Sequence, residues 1–330
     1  MIPTSALRAA RAGFGLSRGS VRVLSARFGK VCLAHHVSGG LRTQVRLVPE
    51  QPDTLSRLDS ETAWLSHLTS VHRLRVPRPL RWHGGALVSP ALHDADGRRW
   101  RAVAGTWIPG AHLDRGLHAR ECREVGALLA ALHNANADAP VGVAAARPTW
   151  GVPRLFELAT TLRDLIAGSA SPPADVRETV VTALRHSHDL LMAAWSGLPV
   201  DAQHVGLIHT DAHSRNLRWA GRRPGLVDFE DFGNGRYMLD VACFHHDMEK
   251  RPGADARLRA LLDGYDSVRP LQADWHRDLQ VMLAFRQFDL AGWVLSWPRV
   301  TLRAWGPDLL SSTPAYIDRT LSQGAESRHR

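Results

Sequence analysis

The feature of this sequence that most constrains the fold is a polar octapeptide, HTDAHSRN, that begins at His209 and follows a short apolar run. It contains Asp211 and ends at Asn216, and a second apolar run further along ends in Asp228. Two strands that end side by side would bring these three polar side chains into one small volume. A divalent metal ion with bound phosphates requires such a set of oxygen ligands. For any one of these acids, a β-hairpin with polar turn residues is the alternative interpretation.

The same stretch resembles the phosphotransferase family that includes aminoglycoside phosphotransferases, choline kinases and homoserine-kinase-like enzymes, which are distant relatives of protein kinases. The catalytic loop of that family reads H-G-D-x-H-x-x-N and its metal strand reads I-D-F/W-x-D/E. The corresponding residues here are His209, Asp211, His213, Asn216, Asp228, Phe229 and Asp231. Thr210 stands where the family usually has Gly. The string Asp231-Phe232-Gly233 looks like the protein-kinase metal motif, but we favour Asp228 as the ligand because it directly closes the apolar run.

The resemblance implies an α+β, bilobal protein-kinase-like fold with a small antiparallel-sheet N-lobe containing one helix and a larger, mainly helical C-lobe. It also implies ATP and Mg²⁺ as cofactors and transfer of the γ-phosphoryl group to a hydroxyl of a small molecule. In that reaction Asp211 would be the catalytic residue, which accepts or orients the proton of the acceptor hydroxyl, and Asn216 and Asp228 would hold the Mg²⁺. The predicted boundaries are an N-terminal extension 1–20, an N-lobe 21–106, a hinge 107–110, a C-lobe 111–321 and a tail 322–330. The tail is polar, and we expect it to be disordered.

The N-lobe prediction rests on two runs rich in β-branched residues, 21–37 and 41–48, separated by Ser38-Gly39-Gly40. Such a turn between such runs is typical of a hairpin. Arg27 and Lys30 lie in a break within the first run, where the family has its nucleotide-positioning loop. Backbone N–H groups and these two cations would approach phosphates there. A plain hairpin turn is the alternative.

Residues 44–48 resemble the third strand of the kinase small lobe, so Arg46 takes the position of the basic residue that contacts the α- and β-phosphates. The guanidinium group of arginine can bind a phosphate through two parallel hydrogen bonds. A predicted helix follows, and its segment S-E-T-A-W-L resembles the family's S-E-x-x-W-L, which makes Glu61 the candidate partner of Arg46. The alternatives are a solvated arginine on the strand and an ordinary surface acid on the helix.

Two strands are predicted, over 86–92 and over 101–108. The second ends at Trp107-Ile108-Pro109-Gly110, which matches the family's hinge between lobes. The resemblance implies that the backbone amides of residues 105–108 face the adenine. A strand that simply ends at a Pro-Gly turn is the alternative.

Further polar residues receive supporting roles. On the resemblance, His209 would be a scaffold residue of the loop and His213 a contact residue, neither of them a base, and Asp231 would assist the metal shell or the acceptor. Asp240 begins the next predicted helix and acts as its cap or as a structural partner of the catalytic loop. His133, on the apolar face of a predicted helix, is interpreted as a packing or hydrogen-bonding residue.

Composition narrows the choice of partners. The net charge of +9 comes mostly from residues 1–49, which hold eight Arg or Lys and no acid, so the rest of the chain is close to neutral. No basic helix accompanies this excess, which argues against nucleic-acid binding. No run of eighteen apolar residues predicts a membrane span. Three scattered cysteines favour a reducing cytoplasm. The Arg-rich, acid-free start could pass for a transit peptide.

Several functional alternatives remain open. The acceptor is an antibiotic such as an aminoglycoside, or a metabolic alcohol such as homoserine, choline or a sugar. A nucleotide-binding pseudoenzyme is the rival from another class, suggested by the single glycine of the phosphate loop and the Arg in place of Lys. A protein kinase is the third interpretation, favoured only by Asp231-Phe232-Gly233. The oligomeric state is not predicted.

Overall fold

The computed structural model describes residues 3–16, 19–25, 31–36, 42–113, 117–167, 178–296 and 305–326. Two compact units make up the chain. The first contains Met1–Gly116, Asn134–Arg147 and Arg215–Glu230, and the second contains Leu117–His133, Pro148–Ser214 and Asp231–Arg330. The sequence-based prediction assigned residues 134–147 and 215–230 to the C-lobe. In the structure, both segments pack with the first unit.

The strands in chain order are β1 Ser20–Ser25, β2 Val31–His36, β3 Arg42–Pro49, β4 Leu92–His93, β5 Arg99–Thr106, β6 Val205–Ile208, β7 Leu217–Ala220, β8 Arg223–Leu226 and β9 Gly233–Arg236. The α-helices are α1 Thr4–Gly13, α2 Thr54–Ser70, α3 Ala119–Asn134, α4 Val152–Ile166, α5 Glu178–Ser196, α6 Tyr237–Met248, α7 Ala254–Asp266, α8 Trp275–Ser296 and α9 Gly306–Glu326. Short 3₁₀ helices span Ala135–Asp138, Ala144–Ala146 and Ser214–Asn216.

The first unit is built on a five-stranded antiparallel sheet in the order β1-β2-β3-β5-β4. Successive side chains of a strand point to opposite faces, so β3 buries Val45 and Leu47 in the core and turns Arg46 to the other face. In place of the strand predicted over 86–92, the structure has an isolated bridge from Val88 to Val103 and the two-residue strand β4, which begins at Leu92. Pro90 explains the difference, since it lacks the N–H group that a sheet ladder requires.

Helix α1 belongs to the core of the first unit. Ala6 and Ala10 are fully buried against the sheet together with Phe14, whose ring meets Trp82 edge to face at 5.0 Å. A Cβ at Gly13 would come within 2.0 Å of the Trp82 ring, so only glycine allows this approach. The prediction treated 1–20 as an extension and gave this part of the chain one helix. The small side chains of Ala6 and Ala10, four residues apart on one face of α1, let the helix pack closely against the sheet.

The second unit is mainly helical. Helix α8 is buried on most of its circumference, which is typical of a central helix. The two short strands β6 and β9 pair antiparallel within this unit. With the sheet of the first unit, this arrangement confirms the predicted α+β class.

Helix α9 corrects the expectation for the end of the chain. It continues to Glu326, five residues into the segment that we expected to be disordered. Ile317 and Thr320 are buried on one of its faces, and this packing maintains the helix beyond the point where the sequence becomes polar. None of the helices in the described ranges combines the length and the apolarity needed to cross a bilayer.

Candidate active site

A cleft in the first unit collects most of the residues that the sequence assigns to nucleotide and metal binding. Its lining combines an apolar and a polar group of side chains, a combination suited to a ligand with one flat apolar part and one charged part. The apolar group includes Cys32, Val103, Ala104, Trp107 and Ile108, and the polar group includes Arg46, Glu61, Asn216 and Asp228.

Arg46 projects from β3 between two carboxylates. Its Nη2 donates to Oε2 of Glu61 at 2.5 Å, and its Nη1 lies 3.6 Å from Oε2 of Glu230. Burial lowers the pKa of Arg46, but Glu61, Glu230 and Asp228 outweigh that effect and raise the pKa above its ordinary value. The guanidinium is therefore charged and held in one orientation in a cleft that is otherwise partly apolar.

Glu61 reaches Arg46 from α2, where the helix packs its side chain almost out of contact with water. The ion pair that the sequence predicts between these residues is thus present, while their role toward a nucleotide stays a prediction. Arg27 and Lys30, the other predicted phosphate contacts, lie outside the described residues.

The predicted hinge is only partly as expected. Trp107 and Ile108 line the cleft. However, the N–H group of Thr106 donates to the carbonyl of Arg78 at 2.9 Å, and that of Trp107 donates to the carbonyl of Arg42 at 3.0 Å. The N–H groups of 106 and 107 are therefore engaged by the protein itself. That the backbone of 105–108 faces the adenine stays a prediction.

Asn216 and Asp228 flank the open end of the hairpin formed by β7 and β8. Leu217 pairs with Leu226, and the N–H group of Val227 donates to the carbonyl of Asn216 at 3.0 Å. Asp228 follows with a φ of +70°, a left-handed conformation that turns the chain sharply out of the hairpin. The amide oxygen of Asn216 and the carboxylate of Asp228 are hard ligands of the kind that Mg²⁺ prefers, so this donor set fits the ion.

A buried carboxylate organises the loop after β6 in the second unit. Asp240, in the first turn of α6, accepts hydrogen bonds from the backbone N–H groups of His209 at 2.8 Å and Thr210 at 2.6 Å. It also contacts Nε2 of His133 at 3.0 Å, and Nδ1 of His133 contacts the hydroxyl of Tyr265 at 2.8 Å. Burial lowers the pKa of His133 even though Asp240 opposes the shift. Asp240 thus contacts the loop as its predicted structural partner.

Thr210 has a φ of +73°, in the left-handed region. Glycine, the usual residue of the family here, adopts this conformation without steric cost, whereas a β-branched residue is strained in it. Three bonds hold it there. Its N–H group donates to Asp240, its Oγ1 donates to the carbonyl of Asp231 at 3.1 Å, and its carbonyl accepts from Sγ of Cys243 at 3.1 Å. The departure from the family pattern is therefore accommodated without a change in backbone conformation.

Asp211, the predicted catalytic residue, lies on this loop between two basic side chains. Its Oδ1 accepts from Nη2 of Arg286 at 2.6 Å, and its Oδ2 lies 3.2 Å from Nε2 of His213. Burial raises the pKa of the Asp211 carboxyl, but His213, Arg286 and His209 together outweigh burial and hold the pKa well below its usual range. The carboxylate is therefore ionised throughout the neutral range.

Two of these charged groups were missed by the sequence analysis. Arg286 projects from α8 and is mostly buried, and Glu230 follows the predicted metal strand. The signal for Arg286 was its position as a charged residue inside the most apolar stretch of the chain, which also carries Asp289. A buried charge requires a partner of opposite sign, so this position could have been predicted to form an ion pair.

The predicted site residues fall into two groups. The first unit brings together Arg46, Glu61, Trp107, Ile108, Asn216 and Asp228. The second unit joins Asp211, His209, His213 and Asp240 to the backbone of Asp231 in one hydrogen-bonded loop. Asp228 lines the cleft of the first unit, whereas the rival metal ligand Asp231 belongs to the second.

Solved structures with the same architecture include an aminopropanol kinase associated with a microcompartment, with a TM-score of 0.76 and 21% identity over 97% of this chain and 98% of that one. An amicoumacin kinase in complex with AMP-PNP, Ca²⁺ and Ami has a TM-score of 0.74 and 16% identity, over 92% of this chain and 88% of that one. At such identities, the likeness shows the fold.

Sequence relatives include a homoserine kinase from Rhizobium johnstonii, 32% identical over 63% of this chain and 59% of the relative. A homoserine kinase from Mesorhizobium japonicum is 32% identical over 60% of this chain and 57% of the relative. The chain thus spans about three fifths of the length of these curated relatives. The model of the phosphotransferase enzyme family matches residues 31–271, most of the chain. The chain therefore belongs to the phosphotransferase enzyme family.

Proposed function

We propose that this protein transfers the γ-phosphoryl group of ATP to a hydroxyl group of a small molecule. The observation that supports this most directly is the cleft of the first unit, where a fixed guanidinium shares its surroundings with a carboxylate and an amide suited to Mg²⁺. Phosphoryl transfer depends mainly on positioning and on charge stabilisation, and these groups supply both.

In this proposal Arg46 binds the phosphates, and Glu61 fixes its direction. Asn216 and Asp228 would hold Mg²⁺, which when bound neutralises charge on the phosphates. Trp107 and Ile108 contribute apolar surface for the base. Because two amides of the predicted hinge are engaged elsewhere, base recognition rests more on this apolar surface than on backbone hydrogen bonds.

Asp211 receives the acceptor hydroxyl. Its depressed pKa makes it a weak base but keeps it ionised, so it accepts a hydrogen bond from the hydroxyl and aims the oxygen at the phosphorus. Arg286 and His213 orient the carboxylate through its two oxygens. The proton passes to Asp211 late, when the forming bond has made the hydroxyl acidic.

Homoserine is the first acceptor to test, since the sequence relatives bear the name homoserine kinase. The panel also includes aminopropanol, choline, a sugar and an aminoglycoside. The measurement is acceptor-dependent release of ADP, together with mass spectrometry of the phosphorylated product. We expect turnover with at least one small alcohol and none with protein substrates.

Two variants separate the roles. Asp211→Asn should lower the turnover number by roughly 10²–10⁴-fold and leave nucleotide binding intact, because the carboxylate that it removes would receive the acceptor and does not line the cleft around Arg46. Asp228→Asn should weaken Mg²⁺-dependent nucleotide binding itself. Nucleotide binding without turnover on any acceptor would instead identify a pseudoenzyme, and phosphorylation of protein hydroxyls would identify a protein kinase.

A further inference from the structure

A second group of metal-ligating side chains lies in the first unit, formed by His67, His72 and Asp138. The Nε2 atoms of the two histidines are 3.1 Å apart. Oδ1 of Asp138 lies 3.1 Å from Nε2 of His67 and 2.8 Å from Nε2 of His72. Within the described ranges, this is the one group of three or more such residues whose ligand atoms converge in this way. None of its members lines the cleft around Arg46.

The local fold holds these side chains in place. His67 lies in the last turn of α2, where its ring stacks on the buried Trp64 with ring centres 5.6 Å apart. The chain reverses just after the helix, and the N–H group of Leu74 donates to the carbonyl of Leu68 at 2.9 Å. This reversal places His72 beside His67. Asp138 ends the short 3₁₀ helix that begins at Ala135.

Hydrogen bonding alone does not satisfy this triangle. A neutral imidazole carries one N–H proton, and the carboxylate oxygen only accepts. Two protons on the two Nε2 atoms can serve the two contacts to Asp138, but the short contact between His67 and His72 then sets two N–H groups against each other. If one histidine donates to the other, one contact to Asp138 loses its proton. A cation equidistant from the three atoms would satisfy all of them.

We propose that His67, His72 and Asp138 form a binding site for a divalent transition-metal ion, with Zn²⁺ as the best match. Two imidazole nitrogens and one carboxylate oxygen are a common zinc ligand set, and Mg²⁺ disfavours nitrogen. In a tetrahedral zinc centre the ligand atoms lie about 3.3 Å apart, since each sits about 2.0–2.1 Å from the ion. The observed separations of 2.8 to 3.1 Å need only a slight expansion.

The electrostatics agree with this assignment. Asp138 is an aspartate and supplies an anionic oxygen at neutral pH, which favours a cation between the three ligand atoms. Asp138 is about half exposed, with 51% of its side chain accessible, which leaves a fourth coordination position open to water. The ion would tie the end of α2 to the segment 135–138, two parts of the first unit that are distant in sequence.

The test uses protein without a histidine tag, stripped with a chelator and kept in Mg²⁺ so that oxygen-only sites are occupied. Titration with Co²⁺ reports coordination through its visible absorption, and competition with a chromophoric chelator gives the Zn²⁺ affinity. We expect one equivalent of Zn²⁺, a four- or five-coordinate Co²⁺ spectrum with nitrogen ligands, and a rise in melting temperature on Zn²⁺ addition.

His72→Ala and Asp138→Ala should each weaken Zn²⁺ binding by at least about 100-fold and abolish the thermal shift, because each removes a direct ligand. His67→Ala is less informative alone, since His67 also packs on Trp64. His93→Ala is the matched control, an exposed histidine on β4 outside the cluster, and it should bind Zn²⁺ as the unmodified protein does. Absence of stoichiometric binding, or binding that survives both His72→Ala and Asp138→Ala, overturns the proposal. Neither readout depends on catalysis, so failure of the phosphotransferase proposal would be seen separately.

Discussion

The two compact units hold their central charges in opposite ways. In the first unit a cation, Arg46, is held among the carboxylates of Glu61 and Glu230. In the second unit an anion, Asp211, is held between the basic side chains of Arg286 and His213. In each case the surrounding charges keep the central group ionised despite burial. In the reaction that we propose, Arg46 of the first unit would bind phosphate and Asp211 of the second would receive an uncharged hydroxyl.

The units also differ in what fixes the geometry. Arg46 and Glu61 project from a regular strand and a regular helix, so secondary structure alone sets their directions. Asp211 lies on an irregular loop whose backbone is fixed by the buried carboxylate of Asp240 and by a strained Thr210. The directions of the charged side chains are therefore set by regular secondary structure in the first unit, and by a buried network of hydrogen bonds in the second.

Removing the central cation of the first unit should have the largest effect on stability. Arg46→Met leaves the nearly inaccessible Glu61 without its partner, and breaking a buried ion pair in this way costs about 3–5 kcal/mol in free energy of unfolding. Urea denaturation measures the loss. Replacing both residues, in Arg46→Met with Glu61→Met, should recover most of it, because the charge of the nearly inaccessible Glu61 is then gone and Glu230 is 26% exposed to solvent.

Arg101→Met is the matched control for that change. Arg101 lies on the neighbouring strand β5, is as buried as Arg46, and pairs with Glu50 at 2.7 Å without lining the cleft. We expect Arg101→Met to lose stability but to keep the thermal stabilisation that MgATP gives, and Arg46→Met to lose both. Equal responses to MgATP in the two variants would contradict a nucleotide role for Arg46.

The interaction free energy between Asp211 and Arg286 should depend on pH, because it requires an ionised Asp211. The pKa of Asp211 is lower in the folded chain than in the unfolded chain, so the coupling is fully present above about pH 4 and is lost as the pH falls further. A double-mutant cycle with Asp211→Asn and Arg286→Met should give about 1.5 kcal/mol at pH 7, the low end for a charged hydrogen bond, because Asp211 is 36% exposed.

The exposed pair Arg123 and Asp263, at 2.7 Å in the same unit, serves as the control for this cycle. Its coupling should be close to zero at every pH, since solvent screens both groups. If the coupling of Asp211 to Arg286 matched this control at pH 7, the idea that cations fix the loop carboxylate would be wrong.

The smallest expected effect concerns the strained position in the loop. Thr210→Gly should be more stable than Thr210→Ala by about 1 kcal/mol, because glycine adopts positive φ without steric cost while both variants lose the same hydroxyl. Guanidinium denaturation of the two variants measures the difference. At the neighbouring buried position the order should reverse, so Ala212→Gly should destabilise the protein. An equal cost for glycine and alanine at 210 would show that the loop relaxes when the threonine is removed.

Regular parts of the site could be predicted from the sequence. The resemblance of residues 44–48 and of the S-E-T-A-W-L segment to the family predicted the contact between Arg46 and Glu61. The two apolar runs predicted that Asn216 and Asp228 lie at neighbouring strand ends, and the structure places them at the open end of one hairpin. Such contacts follow from local periodicity together with a family pattern, which is why they need no knowledge of the packing of distant segments.

The contacts that were missed depend on tertiary packing. Arg286 meets Asp211 across 75 residues of chain, and no periodicity indicates which helix packs under the loop. The amides of Thr106 and Trp107 are engaged by the carbonyls of Arg78 and Arg42, one of which comes from an irregular segment that no strand pattern marks. Long-range pairing of irregular backbone therefore limited the prediction.

The seating of α1 on Trp82 has a practical consequence for anyone who modifies the amino end of this protein. A version shortened to start after Leu16 would uncover Trp82 and the apolar surface beneath Ala6 and Ala10, and we expect it to aggregate. Affinity tags or fusion partners joined ahead of this helix need a spacer that lets it dock.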